Sequence, residues 1–213
     1  ILFDATTENS ISRLKSNLLK PDKEMVILHE NFETIFRSIF KVADVRVGIS
    51  IYDAEEDKFV KPTLSDQNLG SFILPFEQEV ACKNALLGCS FENLLENKKV
   101  LSISNVEKFS LTTGNEKLGQ HLLQQNIHSC IFAPIVKNDM LLGVVELVSA
   151  NPRALNSINS SKLDLILPYL IDTMERYNTD KKNRVEAVVQ REYTAIHPSV
   201  YWKFRKEAVK YFE

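Results

Sequence analysis

Two apolar runs, Ser129–Val136 and Leu141–Ser149, flank the polar stretch Lys137–Asn–Asp–Met140, and no other feature of the chain restricts its fold as much. Runs of this length, rich in β-branched residues and split by Asn-Asp, predict a β-hairpin. Just beyond it, Ser161–Lys–Leu–Asp164 has the Ser-x-x-acid form of a helix start, and Leu163, Ile166, Leu167, Leu170, Met174 and Tyr177 recur at helical spacing. A hairpin feeding an amphipathic helix predicts a sheet covered on one face. Pro168 inside that helix removes a hydrogen bond and crowds the carbonyl of Asp164, which predicts a kink.

Upstream, Ile11, Leu14 and Leu18 mark one face of a short helix that ends before Pro21. Met25, Leu28, Phe32, Ile35, Phe36 and Ile39 then give a second stripe of about four turns. Val45, Val47, Ile49 and Ile51 alternate with period two, the mark of a half-buried strand. A charged turn at 53–58 separates it from a weaker strand at Phe59–Lys61, which Pro62 stops. The middle is less regular. Phe72–Phe76 reads as a short edge strand, residues 77–87 and 90–96 carry helical spacing, and Val100–Ser104 reads as a strand followed by a loop at 105–109. Thr113–Gly–Asn–Glu116 reads as a capping box opening a helix that carries Leu118, Leu122 and Leu123. After Tyr177 the polar cluster 178–183 interrupts the apolar pattern, Val185, Val188, Val189 and Ile196 restore it, and a last helix begins near Ser199.

These elements predict an α+β fold, with an N-terminal helical segment at 1–27, a main domain at 28–178 and a helical extension at 179–213 leading to a further domain. The chain starts without Met and stops within a helical pattern, as an excised piece of a longer protein does. At 213 residues and 44% hydrophobic it has the material for one sizeable core. A net charge of −2 provides no general attraction for phosphate backbones or anionic lipid, so neither nucleic acid nor a membrane is an expected partner. No apolar run approaches the ~20 residues that span a bilayer, and a cytoplasmic setting is expected. Eight basic residues between 181 and 210, set among Tyr201, Trp202, Phe204 and Tyr211, fit helices with charged outer and aromatic inner faces better than an RNA site.

Chemistry-bearing motifs are scarce. Six glycines without clustering leave no phosphate loop or dinucleotide fingerprint, the four histidines stand in no metal-ligand spacing, and no serine sits in a Gly-x-Ser-x-Gly turn. Cys82, Cys89 and Cys130 are an odd number in no zinc-like order and read as free thiols. Glu146 stands out, because it alternates in phase with Val144 and Val148 on an otherwise apolar strand. A carboxylate there has to reach solvent at an edge, meet a donor, or face a wet cavity.

The helix around Asn31–Phe36, the strand Val45–Tyr52, the segment Val100–Val106, and above all Cys130–Ile–Phe–Ala–Pro–Ile135 with Leu142–Gly–Val–Val–Glu–Leu147 resemble a GAF domain of the bacterial signalling type, over roughly residues 28–178. The resemblance implies a PAS-like plan: a central antiparallel sheet of about six strands, terminal helices on one face, and loops and helices over a ligand pocket on the other. It implies a non-catalytic sensory domain of a larger protein that binds an unidentified small molecule and dimerises through its terminal helices. The pocket residues so implied are Phe76, Cys89, Phe91, Ser104, Asn105, Phe109, Leu122, Ile131, Ala133 and Glu146, although for Phe76, Phe91, Phe109 and Ile131 ordinary core packing is the better explanation. The resemblance names no cofactor. The Asn-Lys…Phe…Asp-Glu signature of cyclic-nucleotide-binding members is absent, and His121, Cys130 and Cys89 do not stand in the bilin-attaching arrangement. Two alternatives are a ligand-free dimerisation scaffold and a thiol enzyme similar to free-methionine sulfoxide reductase. The chain lacks the Gly-rich, Cys-containing loop expected of that enzyme.

Overall fold

The computed structural model describes residues 5–18, 28–54, 57–60, 70–74, 80–81, 94, 96–192 and 198–209. The hairpin forms as its residues dictate. Strands β5 (Ser129–Lys137) and β6 (Met140–Ser149) pair antiparallel around Asn138 and Asp139, whose φ angles of 48° and 64° are both left-handed. A two-residue turn of this hand matches the twist of the strands it joins, and Asn and Asp tolerate it better than other side chains. The pairing shifts between Ile135, opposite Gly143, and Val136, opposite Leu141, so that Leu142 is the extra residue of a bulge.

Four further strands complete the sheet: β1 (Arg46–Asp53), β2 (Lys58–Val60), β3 (Val80–Ala81) and β4 (Leu101–Ile103). The order is β3-β2-β1-β6-β5-β4 with every pairing antiparallel. Strand alternation divides the core in two. Val47, Ile49, Ile51, Ile131, Ala133, Ile135, Val145 and Leu147 face one side, where helices α1 (Ala5–Leu18), α2 (Leu28–Phe40) and, after short helices α3 (Val106–Ser110), α4 (Glu116–Gln124) and α5 (Ser157–Ser160), the long α6 (Leu167–Glu192) cover them. Leu14, Ile35, Phe36, Ile39, Leu170 and Met174 supply the helical half of this layer. Gly143 gives clearance to the neighbouring strand β1: a Cβ there would press on the Ser50 carbonyl oxygen and stand 3.3 Å from Ile51 Cα, with the tip of Met174 from α6 also in reach at 2.9 Å. Lys137 Nζ reaches Glu175 at 2.5 Å and ties the hairpin tip to the same helix.

The opposite face carries Phe59, Cys130, Phe132, Val144 and Val148, against which Ile73, Leu74, Val106, Leu118 and Leu122 pack. Here several sequence expectations change. Phe72–Leu74 is a series of bends rather than an edge strand, and the edge is taken by Val80–Ala81, within the span expected to be helical. The expected loop at 105–109 is α3, capped by the Asn105 side chain. Helix α4 opens where expected, but Asn115 is the capping position and the Glu116 carboxylate accepts from Gly114 N at 2.8 Å, so the Thr113 box does not form. Residues 161–165 are a 3₁₀ turn, which places Pro168 second in α6. At that position proline breaks no intrahelical hydrogen bond, since the first-turn amide it lacks has no partner within the helix in any case. The polar run 178–183 does not break α6 either. The helix continues to Glu192, and its Val185 and Val189 meet Ala208 of α7 (Pro198–Val209) in a small cluster apart from the sheet. Among the described residues, no helix is long and apolar enough to cross a membrane.

Candidate functional site

Glu146 is buried to 0% exposure, in the centre of the face that the terminal helices leave free. The register places it beside Gly48 of β1 and Phe132 of β5, where no solvent edge is available, so its carboxylate has to find donors. They come from one short segment. Ser71 Oγ donates to Glu146 Oε1 at 2.8 Å, and the Phe72 and Ile73 amides donate to Oε2 at 2.5 and 3.1 Å. Ser71 Oγ in turn accepts from Leu74 N at 3.0 Å, which closes the segment into a tight strap across the sheet.

Three residues fix the strap from its other sides. Gln125, just past the end of α4, donates through Nε2 to the Phe72 carbonyl at 2.9 Å and lies 3.0 Å from His121 Nε2. Arg46 stands 5.0 Å from the Phe72 ring centre and donates to the Gln125 carbonyl at 3.3 Å. Gly48 provides the clearance: a Cβ there would lie 2.5 Å from the Gly70 carbonyl oxygen and 3.0 Å from the Phe72 ring.

The electrostatics follow from this burial. Desolvation pushes the Glu146 pKa up, and the bonds from Ser71 and Phe72, the nearby Ser50 hydroxyl and the Ile73 amide offset part of that, leaving it at about 7. Both protonation states are therefore populated near neutrality. Burial and then the Glu146 charge push the Cys130 thiol far above its ordinary value, so it stays protonated. Desolvation lowers the His121 pKa, and a bond with the Phe72 backbone works against it. Ser50 is 1% exposed on the same face, and its Oγ meets no partner at hydrogen-bonding geometry.

Of the ten residues expected at a pocket, Glu146, Leu122 and Phe109 lie on this face, Leu122 fully buried and Phe109 partly so. Asn105 borders it but spends its side chain on the Lys108 amide at 2.9 Å, and Ser104 is exposed, its carbonyl accepting from Arg153 N at 2.7 Å. Ile131 and Ala133 point the other way, into the layer beneath the terminal helices, because β5 alternates and it is Cys130 and Phe132 that share the face of Glu146. Phe76, Cys89 and Phe91 lie outside the described residues, as does Cys82. Sequence reading missed Ser50, Gly48 and the strap with its holders Arg46, His121 and Gln125. Ser50 and Gly48 were findable, since each interrupts β1 in phase with the position opposite Glu146. Among the described residues, no group of three or more His, Cys, Asp and Glu is placed to hold a metal ion.

Comparison with known proteins fits this architecture. The family model for the GAF domain matches residues 28–166. The chain belongs to the GAF domain family. Among solved structures, it is similar to the GAF domain from Acinetobacter phosphoenolpyruvate-protein phosphotransferase, with a TM-score of 0.55 and 10% identity over 85% of this chain and 99% of that one. It is also similar to free methionine-R-sulfoxide reductase from Neisseria meningitidis in complex with its substrate, with a TM-score of 0.53 and 13% identity over 84% and 96%. A third is the phycoerythrobilin-bound GAF domain from a cyanobacterial phytochrome, with a TM-score of 0.52 and 14% identity over 84% and 98%. At these identities the likeness is one of fold. A search of curated protein sequences finds no match.

Proposed function

We propose that this GAF domain is a non-catalytic sensory module of a larger bacterial signalling protein, working in the cytoplasm, that binds a small molecule on the sheet face carrying Glu146. The observation that carries this reading is a carboxyl at 0% exposure in the middle of an apolar face, the pattern of few convergent polar groups on an apolar lining that small-molecule sites share. Occupancy is read out through the other face. Neighbouring residues of β6 point to opposite sides, so Glu146 faces the site while Val145 and Leu147 pack in the layer covered by α6. A helix that runs well past the sheet, to Glu192, is suited to pass a change in its packing to a following domain or to a second copy through a helical dimer contact.

The thiol-enzyme alternative draws support from the similar reductase fold, but Cys130 is a poor nucleophile, buried and held protonated. A thermal-shift screen with nucleotides, amino acids, tetrapyrroles and aromatic acids tests the sensory reading. At least one class is expected to raise the melting temperature of the wild type and not of Glu146→Gln. A uniformly flat screen refutes ligand sensing and leaves the dimerisation scaffold. Reduction of free methionine sulfoxide that is lost on replacing Cys82 or Cys89 establishes the enzyme instead.

A further inference from the structure

The strap is attached in an unusual way. Residues 71–73 add no strand to the sheet, and the hydrogen bonds that hold them to it are made by side chains: Glu146 takes the Phe72 and Ile73 amides and the Ser71 hydroxyl, and Gln125 takes the Phe72 carbonyl. A segment held this way can leave without breaking a backbone ladder, its cost being the exposure of Ile73 and Leu74, which are buried against the sheet. Its bonding pattern is also that of a small molecule, with adjacent N–H donors on one side and a carbonyl acceptor on the other. Beside it stands the Ser50 hydroxyl, buried on the face of Glu146 and close enough to the carboxyl to lower its pKa, yet at full hydrogen-bonding geometry to no group. With one bond on Oε1 and a poorly placed hydroxyl beside it, this is a position where a ligand heteroatom can complete the bonding.

We propose that Ser71–Ile73 is a built-in occupant of the ligand site, displaced from Glu146 by a compound that offers N–H donors to that carboxyl and a carbonyl acceptor to Gln125. This rests on the sensory reading and adds to it both the ligand class and an autoinhibitory contact. Exchange of one donor set for another leaves the number of hydrogen bonds on Glu146 unchanged, so occupancy is decided by the ligand's own apolar contacts and its bond to Ser50, set against the burial of Ile73 and Leu74 that the strap gives up. The charged and titratable groups around the carboxyl are Arg46 on β1, Cys130 on β5 and His121 on α4, of which Arg46 and His121 lose their Phe72 contacts when the strap leaves.

The test uses the full chain with guanine, cytosine and glycinamide as probes, each compared with a counterpart methylated on its donor nitrogens. Calorimetry measures affinity, and hydrogen exchange measures protection of the Phe72 and Ile73 amides. A donor probe is expected to bind, its methylated counterpart to fail, and the two amides to lose protection on binding. The variant Ser71→Ala removes one strap bond to Glu146 without altering the carboxyl, and is expected to tighten binding by about fivefold to tenfold. Binding that leaves the two amides protected, or that Ser71→Ala does not tighten, overturns the displacement while leaving a sensory site standing. Failure of all three donor probes on both proteins overturns the ligand class, and the broader thermal-shift screen then decides the sensory reading separately.

Discussion

Replacing Glu146 with Gln removes a proton-binding equilibrium from the middle of the core. An exposed glutamate titrates near its ordinary value of 4.5, whereas here the value is pushed up to about 7. Between those two pH values the folded protein keeps a proton that the unfolded chain has released. Wild-type stability therefore falls as pH rises through this window, and the group adds no further slope above it or below it. A rise of about 2.5 units at 1.36 kcal/mol each corresponds to ~3 kcal/mol lost between acid and neutral pH. Gln mimics the protonated acid in shape and bonding: its carbonyl oxygen accepts the Phe72 and Ile73 amides, and its NH₂ group donates to Ser71 Oγ. The variant is thus expected to match the wild type near pH 4.5 and to exceed it increasingly up to pH 8, by as much as ~3 kcal/mol. Urea unfolding of both proteins at intervals from pH 4.5 to 8 measures this directly. Subtracting the two profiles cancels the other groups that titrate, including His121, whose lowered pKa gives stability an opposite slope. Parallel profiles, or a variant that is weakest relative to wild type at high pH, would falsify the assignment of Glu146 as a desolvated acid under the strap.

Gly48→Ala drives a methyl group into the Gly70 carbonyl oxygen and the Phe72 ring, and is expected to cost about 1–3 kcal/mol in urea unfolding, with faster exchange at the Phe72 and Ile73 amides. Leu122→Ala empties a fully buried position of α4 against the same core, for an expected loss of about 2–5 kcal/mol by calorimetry. At Asp44, burial raises the carboxyl pKa, but bonds from Ser149, Asn151 and the Ala150 amide prevail and hold it below the ordinary value. Asp44→Ala is expected to cost about 1–2 kcal/mol at pH 7, and the gap to wild type to close as pH falls through the depressed value, since that is where the wild type loses this contribution.

What could be read in the sequence was whatever side chains write periodically. The hairpin, β1, α2 and the first half of α6 each bury one face, so their apolar residues recur at 2 or 3.6 positions, and each was found close to where it lies. The phase of Glu146 with Val144 and Val148 was legible for the same reason, and it identified the carboxyl buried on the face away from the terminal helices. Ile131 and Ala133 were expected beside Glu146 but pack in the opposite layer, although β5 was placed correctly. A strand of uniformly apolar residues, covered on both sides, offers no polar alternation to set its phase. The phase was available only by pairing β5 with β6, where Phe132 lies opposite Glu146 and Ile131 opposite Leu147. Polar run 178–183 misled in the opposite sense. Where α6 leaves the sheet it no longer has an apolar layer to match, and a helix there needs no stripe to continue. The strap was illegible for a deeper reason. It engages Glu146 through two backbone amides, which every residue but proline possesses, so only the Ser71 hydroxyl and the absence of a side chain at Gly48 leave any trace in residue identity. A site made by the main chain of one segment and the side chain of another, 75 positions apart, is specified by the fold that brings them together.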